Sequence, residues 1–454
     1  MEQSNSRRHD SMMGRKRDRS VSPADAVPDA ARTEKRARPS IPTLECFLNP
    51  ARFPTIRSAI VKHLNVKDLL RLCATTKHIQ GHIRSHEWSI DRHLRHFFDS
   101  PRDFRSMQAA TGTLIFGDFA TRFMGFETFE LHTMTLVVRE GVTASKLRKH
   151  LEHQQGYSLH SENDDLQHPR STQTFTSERR GTSMTVHVEL VENPVNADIM
   201  DLFTTSVATS FISSNKAYHL FPRTSFKLRE TLPFELHSKS DRKYHQLWAS
   251  RGWRARRREW HDPPSLDQSI TGQECATGPI PGKEDLWVSR HRRVGDHISW
   301  TLPLGLGQIA QSNLAEELLE STSFSFATPY RSPPDGFDDD WEVHRILMDA
   351  NMSYSLLESP VLRHCYCVSD LGGGFGVDGL LTEIEKLLNR SVAEQVSLLE
   401  QDGRESLFGR DPPDSVYRVR PPPGLPEWWI YEDDAVLRYI SVWERKCAAS
   451  SGGR

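Results

Sequence analysis

Three features of this sequence predict an α+β fold. Residues 42–88 set apolar side chains at helical spacing with no strand among them, residues 104–226 alternate helical patterns with short runs of period two, and a helix-containing region with loops follows. The implied organisation is a basic tail over 1–40, a small helical segment over 42–100, a mixed αβ domain over 104–305, a C-terminal α/β region with loops over 306–445, and a tail over 446–454.

Composition limits the function before any motif is read. Of 454 residues, 37% are hydrophobic and 26% charged, enough for a sizeable core under a solvated surface. The net charge of −2 removes whole-chain electrostatics as an argument for nucleic-acid or membrane binding and leaves only local patches. No apolar run approaches the roughly 18 residues of a membrane span, and the N-terminus is polar and basic, so no membrane association or secretion is expected. Six cysteines (Cys46, Cys73, Cys275, Cys365, Cys367, Cys447) are too sparse for a disulfide framework, and all are read as thiols of an intracellular protein, nuclear or cytoplasmic.

Residues 1–40 carry almost no large apolar side chains and are read as a disordered tail. Arg15, Lys16 and Arg17, then Lys35, Arg36 and Arg38, form two basic clusters that suit an import receptor's acidic groove and equally suit an ordinary solvated tail. Phe53-Pro54 opens a first helix, with proline in its first turn and Ile56, Ile60 and Leu64 on one face. Asn65 and Asp68 offer a cap for a second helix lined by Leu69, Leu72 and Cys73, and Thr75 or Thr76 can cap a third. Three such short helices make a poor core alone, so their apolar faces need a partner or a neighbouring domain.

From residue 104, a helix ends near Thr111-Gly112, a strand runs from Thr113 to Phe116, and Gly117-Asp118 turns into a helix carrying Phe119 and Phe123. The stretch FELHTMTLVV (129–138) is read as a half-buried strand with Met134, Leu136 and Val138 facing the core. Thr143 is expected to cap a helix bearing Leu147 and Leu151 that Gly156 ends, and a second strand alternates Val186, Val188 and Leu190 against His187 and Glu189. Ile199, Phe203, Val207 and Phe211 recur every four residues and predict a long helix.

Phe53-Pro54, the Ile-Ile-Leu spacing, Asp68-Leu69-Leu70-x-Leu72 and Thr76 resemble an F-box, which implies docking of this segment onto the Skp-type adaptor of an SCF ubiquitin ligase through Phe53, Pro54, Ile56, Ile60, Leu64, Leu69 and Leu72. The stretches FRSMQAATGTLIFGDFATRF, HTMTLVV, TTSVATSFISSNKAYHLFPRTSF, YHQLWASRGW and RVGDHISWTLPL resemble fungal proteins in which an F-box-like segment precedes a nucleotidyltransferase-like fold. That resemblance implies a Gly-Ser turn after the first strand and an Asp-x-Asp pair on the next, whose alternate residues project together onto two metal ions. Here the glycine falls on Gly117, the serine on Asp118 and the aspartates on Thr133 and Thr135. Magnesium needs hard oxygen ligands at about 2.1 Å, and a neutral hydroxyl does not replace a carboxylate. β-Branched threonines also simply fit a strand. Asp118 and Glu189 are the acids from which a rearranged site can be assembled.

Other motifs carry less. GFGVDG (374–379) matches a dinucleotide-loop pattern, but the sequence downstream reads as more helix instead of a second parallel strand. His364, Cys365 and Cys367 have no partnering metal-ligand pair, and the cysteines are read as buried thiols on a strand. Arg254, Arg256, Arg257 and Arg258 with Trp253 and Trp260 fit either a nucleic-acid groove or a solvated helix face. Three functions follow: a non-enzymatic adaptor that recruits an unidentified protein with no cofactor, a residual nucleotidyltransferase using rearranged acids, and a nuclear nucleic-acid-binding protein.

Overall fold

The computed structural model describes residues 44–49, 51–163, 171–179, 181–232, 234, 239–255, 278–280, 283–288, 291–305, 309, 316–327, 351–369, 378–408 and 424–451. The chain is α+β, as its patterning predicts. Five short helices come first: α1 (Leu44–Leu48), α2 (Pro54–Lys62), α3 (Val66–Cys73), α4 (Lys77–His86) and α5 (Ile90–Leu94). Then follow α6 (Pro101–Thr111), β1 (Leu114–Phe116), α7 (Asp118–Gly125), β2 (Thr133–Arg139), α8 (Val142–His153), β3 (Ser158–Asn163), β4 (Ser171–Arg179), β5 (Thr182–Val191), α9 (Val195–Asp201), β6 (Ser210–Ile212) and β7 (Lys216–His219).

These strands build most of an eight-stranded sheet in the order β13-β7-β6-β1-β2-β5-β4-β3, closed on one side by β13 (Trp300–Pro303) after the small elements β8 (Glu230–Thr231), α10 (Lys239–Ser250), β9 (Arg254–Ala255), β10 (Gly278–Ile280), β11 (Lys283–Val288) and β12 (His291–Arg293). Every neighbouring pair is antiparallel except β2 and β5, which run parallel with Thr135 beside His187 and Val137 beside Glu189. A register shift interrupts the β3–β4 ladder between Leu159 and Ser161, and Pro303 ends β13 at the other edge.

One face of the sheet carries Ile115, Met134, Leu136, Val138, Val186 and Val188, all buried against α6 to α8. The same continuous core takes in Val61, Leu69, Ile79, Ile83 and Trp88 from the helical segment, so that segment docks on its own chain. The opposite face buries Leu114, Val137 and Phe211 against α9 and against Phe324 of β14 (Ser323–Ala327), which follows α11 (Glu316–Ser321). Beyond these come β15 (Asn351–Ser353), whose Met352 packs on the second core, and α13 (Gln401–Phe408), while β16 (Ser355–Leu357), β17 (Tyr366–Val368), α12 (Asp378–Ser397) and α14 (Asp433–Ser451) gather a third core around Val361, Ile384, Leu388 and Trp429. Among the described residues, no helix is long and apolar enough to cross a membrane.

Local signals set several boundaries as read: the Asn65 side chain accepts from the Asp68 amide at 3.0 Å, Thr76 caps α4 at 3.1 Å, and Gly112 ends α6 with φ 68°. Three expectations need correction. Gly141, at φ 92°, takes the position before α8, and Thr143 instead returns its hydroxyl to the Arg139 carbonyl at 2.6 Å. The strand begins at Thr133, so residues 129–132 only lead into it. The long helix over Ile199 to Phe211 is not formed. All four side chains are buried, but they sit on α9, a connecting turn, a single 3-10 turn (Ser206–Ala208) and β6. Hydroxyls break the helix: Thr205 accepts from the Ala208 amide at 3.3 Å and Thr209 donates to the Ser206 carbonyl at 2.8 Å, supplying partners that a helix would otherwise provide.

Two buried ion networks hold the layers. Arg105, 2% exposed, donates to Asp91 Oδ1 at 3.0 Å, to the Gly305 carbonyl at 2.8 Å and to the Ser214 carbonyl at 2.6 Å, tying α5 and α6 to two loops of the sheet. Replacing it with methionine strands these acceptors, and the expected loss is about 3 kcal/mol in urea unfolding. Asp296 accepts from Arg292 Nε at 2.6 Å and from the Ser299 amide at 2.8 Å. Burial pushes its carboxyl up, but Arg292 and the Ser299 bonds outweigh this and bring it to about 2. A depressed folded value stabilises above the unfolded value, by about 2 kcal/mol here, and the gain is lost as pH falls from about 4 towards 2. The stability gap between wild type and Asp296→Asn is therefore expected to close across that interval in urea titrations at stepped pH.

Candidate functional site

The helical segment presents two kinds of apolar side chain. Leu69 is fully buried, while Ile60, Leu64 and Leu72 are half-buried against the shared core. Phe53, Pro54 and Ile56 are exposed, and so are Leu44 and Leu70, which are not among the residues expected to meet the adaptor. The inward face of α2 is thus turned from the predicted stripe: Arg57 and Val61 point in, and Ile56 points out. Arg57 can be buried because its guanidinium pairs with Glu87 at the end of α4, which lets its aliphatic stem pack inside. Of the seven residues expected to meet an adaptor, three are therefore open to solvent, three are partly so, and Leu69 serves the segment's own packing.

The second candidate is the cleft around β1 and β2. Gly117 joins β1 to α7 at φ 71°, a left-handed conformation that favours glycine. Asp118 follows as the first residue of α7, and it is fully engaged. Arg251 donates to Asp118 Oδ2 at 2.7 Å, and the Tyr244 hydroxyl donates to Oδ1. Burial, then the adjacent Asp118 carboxylate, hold the Tyr244 hydroxyl well above its usual value, so it stays a donor. The Arg251 guanidinium lies 4.2 Å from the Phe129 ring centroid and 4.9 Å from that of Trp248, which itself packs edge-on to Trp253 at 5.0 Å. Helix α10 thus sits over the turn. A side chain at Gly117 would meet the Tyr244 hydroxyl at 3.8 Å.

The remaining cleft residues lie on the sheet. Thr133 is exposed at the start of β2; Thr135 is half-buried, facing Phe116 across one ladder and His187 across the other. Glu189 lies further along β5, beside Val137, and accepts from the Thr172 hydroxyl at 2.9 Å. Asp118 lies past the end of β1 and Glu189 on β5, with β2 between them. Two strand spacings, roughly 10 Å, separate these acids sideways, and Asp118 lies towards the Thr133 end of β2 while Glu189 is level with Val137, about 13 Å further along, too far for both to ligate one ion. Among the described residues, no three His, Cys, Asp or Glu side chains gather as metal ligands. Sequence reading missed Tyr244 and Arg251; the available signal was Tyr244, Trp248 and Arg251 at helical spacing within YHQLWASRGW.

The other motifs fall away from this site. Cys365 and Cys367 are buried, and burial holds the Cys367 thiol well above its usual value. Residues 378–397 form one helix, α12, with more helix after it, while positions 371–377 of the glycine-rich loop lie outside the described residues. Arg254 pairs with Glu230 at 2.7 Å, and Trp253 is buried with its Nε1 donating to the Ser225 carbonyl at 2.8 Å. Arg256, Arg257, Arg258 and Trp260, and the basic clusters at Arg15, Lys16, Arg17, Lys35, Arg36 and Arg38, lie outside the described residues.

Removing the carboxylate by Asp118→Ala leaves Arg251 without its partner in a largely dry site, and the expected cost is about 3 kcal/mol. Tyr244→Phe, which removes one hydrogen bond, is expected to cost about 1 kcal/mol. Urea unfolding of both variants checks the order; equal and negligible effects would show that Asp118 is not held as a structural group.

No family model, curated protein or solved structure matches the chain, so the reading of both sites rests on their own geometry.

Proposed function

We propose that the chain is a non-enzymatic adaptor: its helical segment takes the F-box role towards the Skp-type subunit of an SCF ubiquitin ligase, and its αβ domain, nucleotidyltransferase-like and catalytically silent, recruits a protein partner. The observation that best supports the first half is the exposure of Leu44 (48%), Phe53 (36%), Ile56 (42%) and Leu70 (43%) on a segment whose remaining large apolar side chains are largely covered by the same chain. Large apolar side chains left outside on so short a segment are what a protein-binding surface carries.

Catalytic silence draws support from two sides. Threonines stand where the resembled fold keeps its metal-binding aspartates, and the one acid at the turn is neutralised by Arg251. Nucleic-acid binding has less behind it, because Arg254 is already paired with Glu230. The basic clusters in 1–40 agree with a nuclear as well as a cytoplasmic location.

Co-precipitation of the full chain with a purified Skp-type adaptor tests the proposal. Ile56→Asp and Leu70→Asp are expected to abolish retrieval while changing stability by no more than about 0.5 kcal/mol, as surface substitutions do. Leu69→Asp, by contrast, is expected to lower the melting temperature because it buries a charge. Failure of the wild-type chain to retrieve the adaptor rejects the F-box role.

A further inference from the structure

Helix α4 carries His78, His82 and His86 at four-residue intervals, a spacing that stacks side chains along one stripe. The first two converge. His78 Nε2 and His82 Nε2 are 2.9 Å apart, and the rings stand nearly perpendicular, at 89°, with centroids 4.4 Å apart. His78 is exposed and His82 half-exposed, on a side of α4 turned away from the buried Ile79 and Ile83.

Two imidazole nitrogens bound to one divalent ion at about 2.0–2.1 Å and a right angle apart are separated by about 2.9 Å, and a tetrahedral angle widens this to about 3.4 Å. The pair therefore already has the spacing of two cis ligands. With the proton of each neutral ring carried on Nδ1, both Nε2 lone pairs are free to face one ion.

We infer that His78 and His82 form a two-imidazole site for a borderline transition-metal dication such as zinc or copper(II), on the outer face of the helical segment. Neither the F-box role nor the cleft requires it. Among the described residues no third His, Cys, Asp or Glu completes a cage, so the remaining coordination positions fall to water, as in an open site, in contrast to the four protein ligands of a closed structural zinc centre. His86 lies one turn further on; burial, then Arg57, Arg92 and His82, lowers its proton affinity. Holding the ion staples one turn of α4 to the next, which favours the helical state of a short helix.

Titration calorimetry of the full chain with zinc, and electron paramagnetic resonance with copper(II), test the site. His78→Gln and His82→Gln are each expected to weaken zinc binding at least about tenfold and to remove the two-nitrogen hyperfine pattern of bound copper. His63→Gln, an exposed histidine at the end of α2, is expected to leave both signals intact. Thermal melts without metal check that each variant is folded. Zinc affinity and copper spectra that are the same in wild type, His78→Gln and His82→Gln overturn the assignment, as does a wild-type chain that binds neither ion.

Discussion

A buried guanidinium pins the helical segment to the sheet within the apolar core that the two share. Arg105 is buried, and its charge is tolerated only because a carboxylate from α5 and two carbonyls from loops of the sheet surround it. Those partners come from sequence positions 91, 214 and 305, so they can meet only once the segment, the β6–β7 hairpin and the end of β13 have assembled. The apolar residues around it form one continuous core shared by segment and domain. The five leading helices are therefore oriented by the domain, and the side chains they turn outward are fixed by that docking.

The cleft is governed by a second charge. Under the proposed nucleotidyltransferase-like reading, Thr133 and Thr135 take the places of two metal-binding acids at alternate strand positions; the turn beside them is closed by α10. Arg251 and Tyr244 spend their polar atoms on Asp118, and the guanidinium also covers Phe129 and Trp248. A carboxylate engaged on both oxygens in this way ties α10 to the turn at Gly117. The polar residues that stay half-open, among them Thr135, His187 and Glu189, lie on the flat of the sheet. Burial lowers the proton affinity of His187, which keeps that surface uncharged at the imidazole.

Much of this was legible because it is local. The caps at Asn65 and Thr76, the glycine stop at Gly112, and the alternation of β2 and β5 depend on neighbours within a few residues. What the sequence hid lies at long range or in hydroxyl chemistry. Asp118 and Arg251 are 133 positions apart, and nothing near Arg57 in sequence signals its burial, because its partner Glu87 follows another helix. Strands β3 and β4 escaped notice because Ser, Thr, Gln and Glu fill most of their positions, with Phe175 the single large apolar side chain of β4. The four-residue recurrence from Ile199 to Phe211 misled for the opposite reason: burial kept the apolar period while Thr205 and Thr209 removed the helix.

The two margins of the eight-stranded sheet have a consequence for how the protein behaves in company. An unpaired strand at a margin is a template on which another chain can continue the ladder. At the β3 margin the ladder is broken between Leu159 and Ser161, and at the β13 margin Pro303 lacks the amide hydrogen a further strand would need. A wide sheet with both borders spoiled in this way resists growth into strand-swapped assemblies. That suits a chain that leaves large apolar side chains on its helices in contact with water.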